Sequence, residues 1–314
     1  MTSTILRSAA ETARHAPSIF NTQPWRWQVR GDVLELRADR TRLLPVTDPE
    51  GRMLTVSCGL ALHHALVALA AGGHATRVER RPDAADPDLL ARITLTGAAD
   101  PTDVRLRNAI PDRHTDRRPF ADTPVPDGFV DRLRGAAEAR GVYVAELDAD
   151  SLVRFQVTAA RAGELDQNDV AYQAELARWT HRPASSADGV GPESTVVPTP
   201  RTVPLRSFFP DGADRLLPGP GHDGGARYLV LWTVGDTPAD WLAAGEAMSA
   251  ALLETTAAGL AVSPMTDVVE VPASRAMLHR VLNHLGEAQV ALRIGVPSTT
   301  DALPATPRRT DVIG

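Results

Sequence analysis

The stretch Ala16–Trp27, APSIFNTQPWRW, separates a helical run that begins near Thr2 from an apolar strand. Pro17 stops the helix, because its ring clashes with the preceding turn and it has no N–H to donate. Ser18, Asn21, Thr22 and Gln23 form a short polar loop, and Pro24 fixes the backbone before Trp25, Trp27 and Val29 alternate as a strand. Small residues, two amides and a Pro-Trp pair at a helix-to-strand corner predict a rigid ledge of donors and acceptors. Such a ledge suits a flat heteroaromatic ring with polar edges.

Outward from this corner, Thr2 to His15 carries Ile5, Leu6, Ala9 and Ala13 on one helical side, and Arg30-Gly31-Asp32 turns the strand back into Leu34 and Leu36. Gly51 to Ala71 reads as a strongly apolar helix capped by Gly72-Gly73, and one further strand completes the first third. A helix from Pro101, a helix from Pro126 to Arg140 and a strand from Val142 to Leu147 come next. Ala149 to Thr180 is again helical. From Pro183 to Gly225 the composition shifts to Pro, Gly, Ser and Thr, which marks either a cover over a site or an unstructured insertion. A strand Tyr228–Val234, a helix Trp241–Ala258 and a strand Val290–Ile294 close the pattern.

Two of these helices look like copies. Ser57–Gly73 and Ala243–Gly259 align without a gap, matching Gly59 to Gly245, Leu62 to Met248, Leu66 to Leu252 and Gly73 to Gly259. Any two buried helices share Ala, Leu and a capping Gly, so the match is either a packing coincidence or an internal duplication.

The second informative segment is DRHTDRRPF, Asp112 to Phe120. In an extended backbone Arg113, Thr115 and Arg117 alternate onto one face, which places two guanidinium forks and a hydroxyl around one pocket. Planar guanidinium forks match phosphate oxygens, although an Arg-rich strand can equally be a solvated face.

Together these segments resemble the nitroreductase superfamily, and the duplication resembles its Acg-like fused members. The resemblance implies an α+β nitroreductase-like fold in which one chain mimics the two-fold nitroreductase dimer, with central antiparallel sheets and long core helices. The halves would be residues 1–100 and 101–314, with a lid or insertion at about 183–225. It implies FMN as cofactor, with Pro17, Ser18 and Asn21 on the ledge that walls the ring. Asp112–Phe120 resembles the family's R-x-S-x-[RK]…F opening motif, so Arg113 would grip the phosphate, and His114 and Thr115 would lie near the phosphate and ribityl chain. Arg117 would reach the ribityl chain or the pyrimidine edge. Pro264, Met265 and Thr266 resemble the family's turn that points backbone N–H groups at flavin N5. Leu303–Arg309 resembles the closing segment that completes the phosphate site, a role carried to Arg308 and Arg309 together. The phosphate motif occurs once, so about one FMN per chain is expected.

Composition narrows the alternatives. The net charge of −6 argues against a nucleic acid held by a general basic field. Every basic side chain is Arg, and the absence of Lys excludes Schiff-base chemistry and a phosphate-gripping P-loop Lys. The single Cys58 excludes an internal disulfide and suits a reducing, cytoplasmic setting. His63-His64 interrupt the longest apolar run, so no membrane span is expected, and adjacent on a helix they diverge too far to share a metal. Gly219–Gly224 matches G-x-G-x-x-G as a string but lacks the preceding strand and following helix. No G-x-S-x-G elbow, HExxH or CxxC occurs, so no catalytic side chain and no metal are assigned.

By resemblance, then, the chain is an oxidoreductase in which NAD(P)H passes hydride to flavin N5 and a small nitro, quinone or related acceptor takes the electrons. The rival is a non-catalytic protein that binds and sequesters FMN, with the 183–225 segment closed over the ring. A dehalogenase or ring-oxidising enzyme of the superfamily, and a cofactor-free interaction protein, complete the alternatives. The chain would act as a monomeric pseudo-dimer or a loose homo-oligomer.

Overall fold

Two hairpin-and-helix units, built in the same order, account for the architecture. The computed structural model describes residues 2–183 and 185–314; Ala184, inside the expected lid, lies outside them. The first unit runs α1 (Thr2–Ala13), β1 (Trp25–Arg30), β2 (Val33–Ala38), α2 (Arg52–Ala71), β3 (His74–Arg80) and β4 (Leu89–Ala98). After a short α3 (Val104–Ala109), the second runs α4 (Phe129–Glu138), β5 (Tyr143–Glu146), α5 (Ala149–Asn168), α6 (Val170–Thr180), β6 (Arg227–Thr233) and α7 (Pro238–Ala257). It ends with β7 (Ala261–Met265), α8 (Asp267–Glu270), α9 (Pro272–Val281) and β8 (Glu287–Gly295). Each unit yields a four-stranded antiparallel sheet, ordered β1-β2-β4-β3 and β5-β6-β8-β7. The chain is therefore α+β and internally duplicated.

The two long helices explain why the duplication is stable. α2 and α7 are apolar on nearly every face and pack against each other at the centre of the core. They cross at Gly59 and Gly245, where a Cβ on Gly59 would lie 2.9 Å from the Gly245 Cα and one on Gly245 would lie 2.8 Å from the Gly59 Cα. The same hypothetical atoms would run into the Leu242 and Val56 carbonyls, the reciprocal pattern that a local two-fold relation gives. α2 is long and apolar enough to cross a membrane, but 83% of its apolar window is buried inside the protein.

His63 sits one turn beyond this crossing, fully buried. Arg140 donates to its Nε2 (2.8 Å), so Nδ1 carries the proton and donates to Ser249 Oγ (2.8 Å). Burial, with Arg140 and Arg80, pushes the His63 pKa down to about 3.

The units differ in two connections: β3 reaches β4 through residues 81–88, whereas β7 reaches β8 through α8 and α9. Gly31-Asp32 joins β1 to β2, whereas β5 reaches β6 only through α5, α6 and the long segment that follows. Ala149–Thr180 is helical as expected, divided into two helices because Asp169 leaves helical geometry and its carboxylate caps α6 through Ala171 N and Tyr172 N. The helix expected from Pro101 begins only at Val104, after Asp103 takes a positive φ of 56°. Two strands, not one, follow α2. The sequence HATRVER of β3 is a half-exposed edge strand whose polar positions hide the alternation.

The C-terminal segment crosses back to the first unit. Trp27 N donates to Val312 O (2.7 Å), Gly314 N donates to Trp27 O (2.8 Å), and Trp27 pairs in parallel with Ile313. The open edge of β1 is thereby covered.

Candidate functional site

The loop after α1 makes the first wall. Phe20, Asn21 and Gln23 all adopt positive φ (45°, 53° and 50°), backbone that non-glycine residues hold only under constraint. The constraints are visible. Ile19 N donates to Ser57 Oγ of α2 (3.2 Å), Gln23 N to Ser18 Oγ (2.8 Å), and the Cys58 thiol to Pro24 O (3.3 Å). Burial pushes the Cys58 thiol pKa up, so it is a core thiol.

The polar ledge works differently from the sequence expectation. Asn21 Nδ2 donates to Gly189 O and Pro307 O (3.2 and 3.1 Å), and its Oδ1 accepts from Arg308 (3.3 Å). Gln23 is bonded to Ala187 O and to Arg309 N. These amides fasten the covering segment and the C-terminal tail to the ledge, so they offer little to a ring.

Arg113–Arg118 forms the second wall. It is an open segment rather than a strand, pinned by Asp116 N to Val262 O of β7 (3.0 Å). Asp116 takes the charge of Arg118 through two carboxylate contacts (2.9 and 2.8 Å), which leaves Arg113 and Arg117 to point elsewhere. Pro264 and Met265, expected in a turn, are instead the last residues of the edge strand β7. Pro264 is tolerated there because β7 pairs on one side only.

Between these walls lie two joined lobes. The first, about 750 Å³, is lined by Phe20, Met53, Val56, Leu60, Met248 and Met265, with Pro264, Thr266 and Arg206 at its margin. The second, about 880 Å³, is lined by Asn21, Arg113, His114, Arg308 and the 303–307 tail. Pro17, Ser18, Thr115 and Arg117 line both. Every sequence-derived site residue except Arg309 therefore reaches this cavity. Arg309 turns away, bonded to Gln23 O (3.0 Å) and paired with Asp311 (2.8 Å).

The second lobe is strongly cationic. Arg113 is buried, and among the described residues its Nε has no partner and its one side-chain hydrogen bond is a long contact to His15 O (3.4 Å). Burial lowers its pKa to about 10; burial, then Arg113 and Arg14, lowers that of Arg308 to about 9. A guanidinium keeps its proton at neutral pH, so these shifts express the cost of holding cations without a counter-ion. His15, whose carbonyl accepts from Arg113, has a lowered pKa from partial burial followed by Arg308, Arg14, Arg113 and Arg107.

Residues 189–208 of the expected lid border the cavity. Gly189, Glu193, Ser194, Leu205, Arg206 and Phe208 line its lobes. Arg117 donates to Ser194 O (2.9 Å) and stacks over Phe208 at 4.8 Å. Arg206 donates to Tyr172 Oη (2.8 Å), pairs with Glu270 (2.5 Å) and lies over the Phe20 ring at 4.9 Å. Burial opposes its charge, yet Glu270, Tyr172, Asp267 and Asp166 hold its pKa above the usual value. The α2 residues Met53, Val56 and Leu60 and the segment's Arg206 and Phe208 were not among the sequence candidates. An apolar helix gives no sign of which face borders a cavity.

Comparison with known proteins fits this geometry. A Mycobacterium tuberculosis protein named "Putative NAD(P)H nitroreductase" is 40% identical over 316 aligned positions, covering 97% of this chain and 89% of that one. The M. tuberculosis "Putative NAD(P)H nitroreductase acg" is 36% identical, covering 98% of this chain and 94% of its own length. The chain belongs to the Acg-like nitroreductases. No protein-family model matches the chain. Among solved structures, an FMN-bound nitroreductase from Bacteroides fragilis aligns at TM-score 0.42 and 10% identity, covering 67% of this chain and 97% of that one. The FMN-dependent nitroreductase NfnB of Mycobacterium smegmatis, in complex with NADPH, aligns at 0.42 and 14%, covering 66% and 94%. Within this Acg-like chain the strained ledge, the arginine segment and the tail meet at one cavity.

Proposed function

We propose that this cavity holds one FMN per chain and that the protein is an FMN-dependent oxidoreductase using NAD(P)H. The observation that carries this reading is the joining of an apolar lobe, at a shared waist, to a lobe holding buried Arg113 and half-buried Arg308, which pair with no carboxylate among the described residues. That combination suits a flat aromatic ring linked to a phosphate ester. Arg113 and Arg308 would hold the phosphate, whose charge supplies the counter-ion they lack. Thr115 and Ser18 stand at the waist, where hydroxyls can meet a ribityl chain. Phe20, Met53, Met248 and Met265 would pack on the ring and keep water from it. Bound FMN would supply the electron-transfer chemistry, in keeping with the absence of an assigned catalytic side chain.

The covering segment favours a second reading, sequestration of FMN without turnover, because its Arg206 and Phe208 line the apolar lobe. Anaerobic mixing of the FMN-loaded protein with NADH or NADPH separates the two. Rapid bleaching of the flavin absorption band supports the oxidoreductase, whereas a band that only dithionite removes supports sequestration. A protein that takes up no FMN contradicts both.

A further inference from the structure

Glu270, the carboxylate that anchors Arg206, also lines a separate cleft of about 1030 Å³ between residues 46–47, the end of α5, the start of α6 and the α8–α9 junction. Its side chain is 3% exposed; Oε2 is taken by Arg206, while Oε1 has no partner among the described residues. Asp166 stands in the same cleft. Burial, with Glu270 and Asp267 added and Arg206 opposing, raises its pKa to about 7. Asp169 at the edge is already spent on the α6 cap. One guanidinium thus serves more carboxylate than it can neutralise, and the oxygen left over is buried.

The rest of the lining is apolar: Val46, Leu165, Val170, Val271 and Pro272. Among the described residues no three His, Cys, Asp or Glu side chains gather closely enough to hold a metal ion, so the missing positive charge is better met by an organic cation. We propose that this cleft binds an organic ammonium ion, with its charge against Asp166 and the free oxygen of Glu270 and its hydrocarbon part against Val170, Val271 and Pro272. The proposal stands independently of the flavin reading.

A competing arrangement is a proton shared between Asp166 and Glu270, which would satisfy the same oxygen and leave nothing for a ligand. The two differ in what titration does. An ammonium site weakens as Asp166 takes up its proton. The groups facing Asp166 are Tyr172 of α6, Arg206 of the covering segment, and Asp267 and Glu270 of α8; Asp48, just before α2, acts on Glu270.

Isothermal titration of the full chain with n-hexylammonium, with hexan-1-ol as the neutral control, tests this. The expected result is saturable one-to-one binding at pH 8, roughly tenfold weaker at pH 6 as Asp166 protonates. Binding is also expected to weaken by about tenfold or more in Asp166→Asn, with an unchanged far-UV circular dichroism spectrum as a check on folding. Val170 is 84% exposed, so Val170→Arg adds a repelling charge at the mouth without disturbing the core and also weakens binding. No saturable heat at pH 8, equal binding by hexan-1-ol, or indifference to pH and to both substitutions overturns the proposal.

Discussion

Arg308 and Arg309 are neighbours with opposite tasks, and the difference is one of partners. Arg309 is buried and ion-paired with Asp311 within the fold. Buried Arg113 and half-buried Arg308, which donates to Ala16 O and Asn21 Oδ1, lie beside each other's charge with no carboxylate partner among the described residues. Removing a satisfied group and removing an uncompensated one have opposite consequences for the free protein. Arg113→Ala and Arg308→Ala should each weaken FMN binding roughly tenfold to a hundredfold, equivalent to about 1.5–3 kcal/mol per charge-assisted bond. Each should leave the melting temperature of the FMN-free protein unchanged or raised. Arg309→Ala should instead lower that melting temperature. Flavin fluorescence titration and thermal denaturation read the two effects, and a destabilised free Arg113→Ala protein would show that Arg113 is a structural cation. Arg113, Thr115 and Arg117 were legible in the sequence because charge and hydroxyl recur at fixed spacing. The choice between Arg308 and Arg309 was not, since the direction of each side chain is set by the tail's pairing with Trp27.

At the scale of elements, the central claim is the crossing of α2 and α7. Gly245→Leu puts a side chain against the Val56 carbonyl and the Gly59 Cα. We expect a loss of about 3 kcal/mol or more, or failure to fold, measured by urea unfolding. A fully stable variant would mean that the helices do not meet there. The neighbouring His63 gives the pair a pH signature. Its folded pKa is depressed to about 3, so below the unfolded value of 6.5 the unfolded chain binds a proton that the folded chain refuses. Stability should fall as pH drops from 6.5 toward 3, and His63→Gln should flatten that slope in acid unfolding curves. The paired glycines stand out in an ungapped alignment of the two helices. β3 does not, because an edge strand with one wet face loses its alternation. The strand character of β7 was hidden by Pro264, which reads locally as a turn.

At the scale of the whole molecule, one half supplies the strained ledge and α2, while the other supplies the arginine segment, β7 and the tail. Between β5 and β6, where the first half has a two-residue turn, the second half carries the segment that covers the cavity. Its composition announced an irregular stretch, but its closed position depends on contacts far apart in the chain, such as Arg206 with Glu270 and Asn21 with Gly189. Filling the cationic lobe with a dianion should raise the melting temperature by several degrees. At a hundredfold excess over Kd the gain is about 2.7 kcal/mol. The most direct test is an equilibrium titration of the FMN-free chain with FMN, followed by flavin fluorescence and by absorbance for stoichiometry. The prediction is one FMN per chain, with affinity lost in both Arg113→Ala and Arg308→Ala. Two equivalents per chain, no saturable binding, or affinity indifferent to those arginines would contradict a single site shared by the two halves.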